Sequence, residues 1–259
     1  MRLEELLSSL DRLAKENDLS TPYIVGGLPR DKIMGISAKE VKDIDITTGD
    51  QNSFTLALIC NREWPQAKFR TYDDGHSSLD FNNIRIDFSN HFVIPGIEAE
   101  LKRLGISNPS EMEKELYSRD FTINTLLQPM DISKDPLDLT KMAIKDIENK
   151  ILRTPINPEL TIGFDPRRIL RAIKLLIKFN LHIDKDLKRT IIEYRGNINK
   201  ISLNHIKTQI NQMLDIDSKK TIKTLSEYKL LPIIPLSKLM RLEIAKNKMI
   251  QYLLDGSEV

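Results

Sequence analysis

Leu3, Leu6, Leu7, Leu10 and Leu13 recur at helical spacing with charged residues between them, so "MRLEELLSSLDRLAKEN" reads as an amphipathic helix and not as a signal peptide. "PYIVGG" follows as a short strand running into Gly26 and Gly27, and "LPRDKIMG" as a short helix closed by Gly35. Then come a strand at "IDIT", a helix around "SFTLALIC", and extended segments at "AKFRTY", "SSLDF" and "IRIDF". Asn82 and Asn83 separate the last two as a hairpin turn. From about residue 110 the period becomes helical: "SEMEKELYSRDFTINTLLQ", "AIKDIENKIL", "DPRRILRAIKLLIKFN", "DKDLKRTIIEYR", "SLNHIKTQINQML", "SKKTIKTLSEYKLL" and "LSKLMRLEIAKNKMIQYLLD". Pro129, Pro136, Pro155, Pro158, Pro166, Pro232 and Pro235 punctuate these stretches. The expected fold class is α+β: a head with a small mixed sheet over 1–130, then an all-helical neck and shortened body over 131–259.

Composition narrows the setting. The 259 residues are 40% hydrophobic, enough to bury a real core, and no apolar run is long enough to span a bilayer. A single cysteine, Cys60, excludes an internal disulfide, and four scattered histidines form no zinc-type cluster, so a cytoplasmic protein is expected. The net charge of +2 hides an asymmetry. Residues 1–150 carry 19 Lys and Arg against 26 Asp and Glu, whereas 151–259 carry 20 against 11. The second half is therefore the expected polyanion surface, with lysine-rich composition bias as the competing explanation.

Candidate chemistry starts at "KDIDITT". Residues two apart on a strand share a face, so Asp43 and Asp45 project together while Ile44 and Ile46 pack behind them. Paired carboxylates repel unless a proton or cation lies between them, and Mg²⁺ suits carboxylate and phosphate oxygens together. A solvated strand edge is the competing reading of an isolated Asp-x-Asp. The preceding "VGGLPRDKIMG" adds a strand, two glycines and a helix start, where backbone N–H groups can approach an anion. Gly26 and Gly27 are the candidate phosphate cradle, with Arg30 set to meet phosphate or pair with Asp31. A tight turn is the alternative use of a glycine pair.

These motifs carry a resemblance. "GGLPRD" followed by "DIDITT" resembles the signature of the class II tRNA nucleotidyltransferases (CCA-adding enzymes) and bacterial poly(A) polymerases of the DNA polymerase β superfamily. "SRDFTINTLL", "DPLDLTKMAIKDI" and "FDPRRILRAIKLLIKFNLHI" extend the likeness in the same order, from about Tyr23 to Ile183, and "ISLNHIKTQI" and "EYKLLPII" carry it more weakly to Pro232.

The resemblance implies a polymerase-β-type head and Mg²⁺ held by Asp43 and Asp45, with Asp87 in "IRIDF" as candidate third carboxylate. After Asp87 the family's Thr-x-Arg is replaced by Ser89, Asn90 and His91. Arg119, Asp120 and Asn124 fall at positions that contact the nucleotide's sugar and phosphates, the last two expected on one helix face. Asp165 and Arg168 match an Asp and Arg that read the base edge, and Arg171 braces that site or meets phosphate. Surface capping or an i, i+3 ion pair would explain the same side chains without a ligand.

Phe164 replaces the family Glu before Asp165, Ser118 the first Arg of the Arg-Arg-Asp motif, Ala143 a Gly, and His205 a frequent Arg. Relatives continue past the neck into body and tail domains that hold tRNA, whereas this sequence stops at Val259. Grip by the basic half, a partner chain or second copy, or a smaller substrate would each make up for that. The implied function is template-independent addition of C and A to tRNA 3′ ends, with ATP, CTP and an RNA 3′ end as partners. Poly(A), C-only or A-only addition is the alternative, and a non-catalytic RNA-binding module the rival from another class.

Overall fold

The computed structural model describes residues 2–36, 41–73, 75–89 and 91–234. The helix expected at 236–255, together with Asn90 and Pro235, lies outside the described residues. The chain forms two compact units that divide between Asn149 and Lys150.

The first unit runs α1 (Leu3–Glu16), β1 (Tyr23–Val25), α2 (Gly27–Ile33), β2 (Asp43–Thr47), α3 (Asn52–Glu63), β3 (Lys68–Thr71), β4 (Ser77–Phe81), β5 (Ile84–Phe88), α4 (Ile97–Arg103), α5 (Glu111–Tyr117), β6 (Leu127–Pro129) and α6 (Ala143–Glu148). Among the described residues six strands form one sheet in the order β3-β4-β5-β2-β1-β6, antiparallel except for the parallel pair β2 and β5. One core contains Leu6, Leu7 and Leu10 of α1, Leu56 of α3, and the strand residues Ile24, Ile44, Ile46, Leu79 and Ile86. Burial of each such side chain contributes about 1.5–3 kcal/mol before entropy is counted. A smaller cluster of Val25, Leu116 and Leu127 joins β1, α5 and β6. Asn82 and Asn83 form the hairpin turn with φ of 49° and 63°, the left-handed pair that a two-residue hairpin favours.

The helix expected from 110 to 128 is broken. Ser110 and Glu113 start α5 with a reciprocal capping box. At its end Ser118 Oγ donates to the Lys114 carbonyl at 2.7 Å and accepts from the Ile94 amide at 2.9 Å. Thr122–Asn124 is a single 3-10 turn, and Leu127–Pro129 becomes an edge strand on β1, where Pro129 has no inward N–H to supply. Residues 131–149 pack with the first unit, beyond the boundary expected at 130. Thr122 Oγ1 donates to the buried Asp146 at 2.6 Å, and Lys32 Nζ donates to the Ile132 and Lys134 carbonyls at 2.8 and 2.6 Å.

The second unit contains β7 (Ile151–Leu152), α7 (Pro158–Phe164), α8 (Arg167–Phe179), β8 (His182–Ile183), α9 (Lys185–Tyr194), α10 (Leu203–Ile216) and α11 (Ser218–Glu227). Among its described residues the strands are the two-residue parallel pair β7 and β8, so "KIL" leaves the helix assigned to it. Ile169, Leu170, Ile173, Leu176 and Ile177 of α8 are buried, and α8 packs against α10 and α11. Asp184, Ser202 and Asp217 cap the three helices that follow with side-chain oxygens, which fixes where each begins. Neither α4 nor α7 was expected, since each is only two turns long and has too few apolar positions to show a period.

Candidate active site

Burial alternates along β2, so Asp43 and Asp45 are exposed on one face while Ile44 and Ile46 are buried on the other. The register places Asp43 beside Arg85 and Asp45 beside Asp87, bringing the three predicted acids to one face of adjacent strands. The Asp87 carboxylate is engaged by Arg85, whose Nε lies 3.0 Å from both oxygens. Among the described residues no group of three or more His, Cys, Asp or Glu is arranged to hold a metal ion. Two exposed carboxylates with all-oxygen donors still fit Mg²⁺, which keeps several waters and takes further oxygens from substrate phosphate.

Gly26 follows β1 and caps α2 with φ +84°. A Cβ there would lie 2.8 Å from Asp45 Oδ2 and 4.0 Å from Arg119 Nη1. The space a side chain would fill is thus the space beside the carboxylate, which brings Gly26, Asp45 and Arg119 to one point. Gly27 begins α2 directly after it.

Arg30 is buried, at 7% exposure, and it bonds in two directions. Its Nε donates to Asp31 Oδ1 at 2.8 Å and its Nη1 to Asn124 Oδ1 at 2.8 Å, while Asn124 Nδ2 donates to Asp120 Oδ1 at 3.0 Å. Arg30, Asn124 and Asp120 therefore form one hydrogen-bonded chain. The expectation that Asp120 and Asn124 share a helix face is corrected: Phe121 is extended and a 3-10 turn brings Asn124 back to Asp120.

Sequence reasoning missed Glu115. Its carboxylate, 2% exposed, accepts from Thr47 Oγ1 at 2.8 Å, Ser89 Oγ at 3.1 Å and Arg119 Nη2 at 3.0 Å, and His91 Nδ1 lies 3.8 Å away. Burial works against its charge, yet His91, Arg119 and Thr47 keep the carboxyl below the usual range. The Glu115 carboxylate, and after burial's opposing effect Glu111, hold His91 above its ordinary value. The available signal was an acid four residues before Arg119, a spacing shared by many surface helices.

In the second unit Asp165 ends α7, and Arg167 to Phe179 form α8. Arg167 Nε donates to Asp165 Oδ1 at 2.8 Å, so the neighbouring ion pair is i, i+2 and not the i, i+3 pair with Arg168. Arg168 is buried at 7% exposure, Arg171 is exposed, and Phe164 is 46% exposed. Burial, then Arg167, and with Asp165 opposing them Arg171 and Lys174, push His205 below its ordinary value.

Residues 22–153 match the poly A polymerase head domain. The chain belongs to that family. Over 212 residues it is 28% identical to the tRNA nucleotidyltransferase cca2 of Schizosaccharomyces pombe, covering 74% of this chain and 43% of the relative. A solved CCA-adding enzyme with ATP superposes with a TM-score of 0.69 at 22% identity, covering 98% of this chain and 60% of the other. The Thermotoga maritima CCA-adding enzyme complexed with tRNA gives 0.67 at 24% identity, covering 87% and 50%. These likenesses establish a shared fold. This member of the poly A polymerase head family spans about half the length of the curated relatives it matches. Among its described residues, no helix is long and apolar enough to cross a membrane.

Proposed function

We propose that the chain is a template-independent RNA nucleotidyltransferase that adds C and A to tRNA 3′ ends. One observation carries this reading: Asp43 and Asp45 share an exposed strand face, with the bare backbone of Gly26 against Asp45 and Arg119 close by. Asp43 and Asp45 hold Mg²⁺, and Asp87, neutralised by Arg85, contributes less. Bound Mg²⁺ supplies activation of the primer 3′-hydroxyl and charge stabilisation at the leaving pyrophosphate. Gly26 and Gly27 let backbone approach the triphosphate, Arg119 offsets its charge, and the buried Arg30 adds positive potential from behind. Asp120 and Asn124 hold the ribose hydroxyls, their side chains already oriented by Arg30. Asp165 and Arg168 read the base edge, a carboxylate accepting from the exocyclic amine of C or A and a guanidinium donating to ring acceptors, while Arg171 meets phosphate. The setting is cytoplasmic.

Labelled CTP and ATP offered with Mg²⁺ to tRNA lacking CCA tests this. Incorporation of both is expected, and none by folded protein would overturn it. A-only, C-only or poly(A) addition is the second reading, favoured by Phe164 in place of the family Glu and by Asp165 bonding Arg167. Comparing ATP and CTP on tRNA ending in the discriminator base, C or CC separates the two.

A further inference from the structure

Glu115 stands outside the motifs that carry the proposed chemistry, yet its carboxylate ties together the segments that bear them. Thr47 ends β2 two residues after Asp45, and Ser89 follows β5 two residues after Asp87. Both hydroxyls donate to the Glu115 carboxylate, as does Arg119. Each partner is further restrained: Thr47 Oγ1 accepts from the Gly49 amide at 2.9 Å, and Ser89 Oγ from the His91 amide at 3.2 Å. Gly49, with φ +74°, lies against α5 so closely that a Cβ would meet Met112 at 2.9 Å. The end of the Asp43–Asp45 strand is therefore clamped to α5 by a bond and by close packing.

A buried carboxylate is costly to desolvate, and an apolar residue at this place would pack at less expense. What the carboxylate adds is direction. Both of its oxygens accept, Oε1 from Ser89 and Arg119 and Oε2 from Thr47, whereas in a neutral amide of the same shape one of the two ends is a donor. We infer that Glu115 is a positioning residue that sets the Asp45 strand, the end of the Asp87 strand and Arg119 in register for nucleotide and metal binding. This rests on the proposed nucleotidyl transfer.

The full chain tests the inference through two readouts: Mg²⁺-dependent incorporation, and Mn²⁺ binding in the presence of ATP followed by electron paramagnetic resonance, which needs no turnover. Folded Glu115→Gln is expected to lower kcat about tenfold and weaken Mn²⁺ binding about threefold, with KM for the RNA primer within about twofold of wild type. Thr47→Val is expected to weaken Mn²⁺ binding too, and the double variant to lose no more than Glu115→Gln alone, as members of one network do. Wild-type kcat and Mn²⁺ binding in folded Glu115→Gln would overturn the inference, as would fully additive losses. Should Glu115→Gln fail to fold, Thr47→Val and Ser89→Ala carry the same expectation, and wild-type behaviour in both refutes it. A wild-type chain without incorporation but with Glu115-dependent Mn²⁺ binding would instead refute the proposed function and leave the positioning role standing.

Discussion

Gly26 is constrained twice, by a φ of +84° and by Asp45 Oδ2 standing 2.8 Å from where a Cβ would be. Gly26→Ala is expected to cost about 1–3 kcal/mol in stability, read by thermal unfolding, because both strain and contact oppose the methyl group. Incorporation should fall further than stability alone explains, since the displaced group is the Asp45 carboxylate. Removing the charge of an exposed acid is milder for stability. Asp45→Asn keeps the shape of the side chain on an exposed strand face, so its melting temperature should stay close to that of wild type. Its kcat should nonetheless drop by about a thousandfold; a fall in both would mean that Asp45 holds the fold and not a cation. At this scale the sequence was informative about residue type. Asp43, Asp45 and Gly26 were legible because alternation and glycine have direct geometric meaning. Glu115 was not, because an acid within a short charged helix looks solvated until Thr47, Ser89 and Arg119 are seen closing over it.

Elements add coupling between distant stretches of chain. α5 brings Glu111 and Glu115 to His91, with His91 Nε2 3.0 Å from Glu111 Oε2. His91 titrates above its ordinary 6.5 in the folded chain, so its stabilisation is complete below that value and is lost as pH rises through the raised one. Glu115 titrates below its ordinary 4.5, so its contribution is complete above that value and is lost as pH falls through the lowered one. The cluster is thus at full strength between the two ordinary values. Urea midpoints should fall for wild type as pH rises from mildly acidic to alkaline, and fall less for His91→Gln; equal slopes would refute the assignment. The β4–β5 hairpin offers a simpler case. Asn83 has φ 63°, and Asn83→Gly should raise stability by about 0.5 kcal/mol in thermal unfolding, because Asn-Gly suits this turn best. Strong periods made α1, α8 and α10 readable. The helix expected through 110–128 was misread because Leu126 and Leu127 fit a helix period as well as they fit an edge strand, and β1, far back in the sequence, decides between them.

For the whole molecule, the charge asymmetry is the lever. Residues 1–150 carry 19 Lys and Arg against 26 Asp and Glu, and 151–259 carry 20 against 11. α8 contains Arg167, Arg168, Arg171, Lys174 and Lys178 and no acid. RNA affinity should therefore fall about tenfold or more between roughly 50 and 200 mM salt, measured by fluorescence anisotropy; a flat dependence would remove phosphate contacts from the account. The sequence by itself determined the α+β class, the strand face bearing Asp43 and Asp45, the hairpin at Asn82 and Asn83, and the family. Those features follow from local periods and from short motifs whose side chains have only one sensible disposition. Tertiary structure alone decided that 131–149 joins the first unit, that Arg30 reaches Asn124 and through it Asp120, and that Glu115 gathers Thr47, Ser89 and Arg119. Each of these depends on at least one hydrogen bond between groups far apart in the chain, Lys32 to Ile132, Arg30 to Asn124 and Thr47 to Glu115, and no period or spacing along the sequence encodes such a meeting.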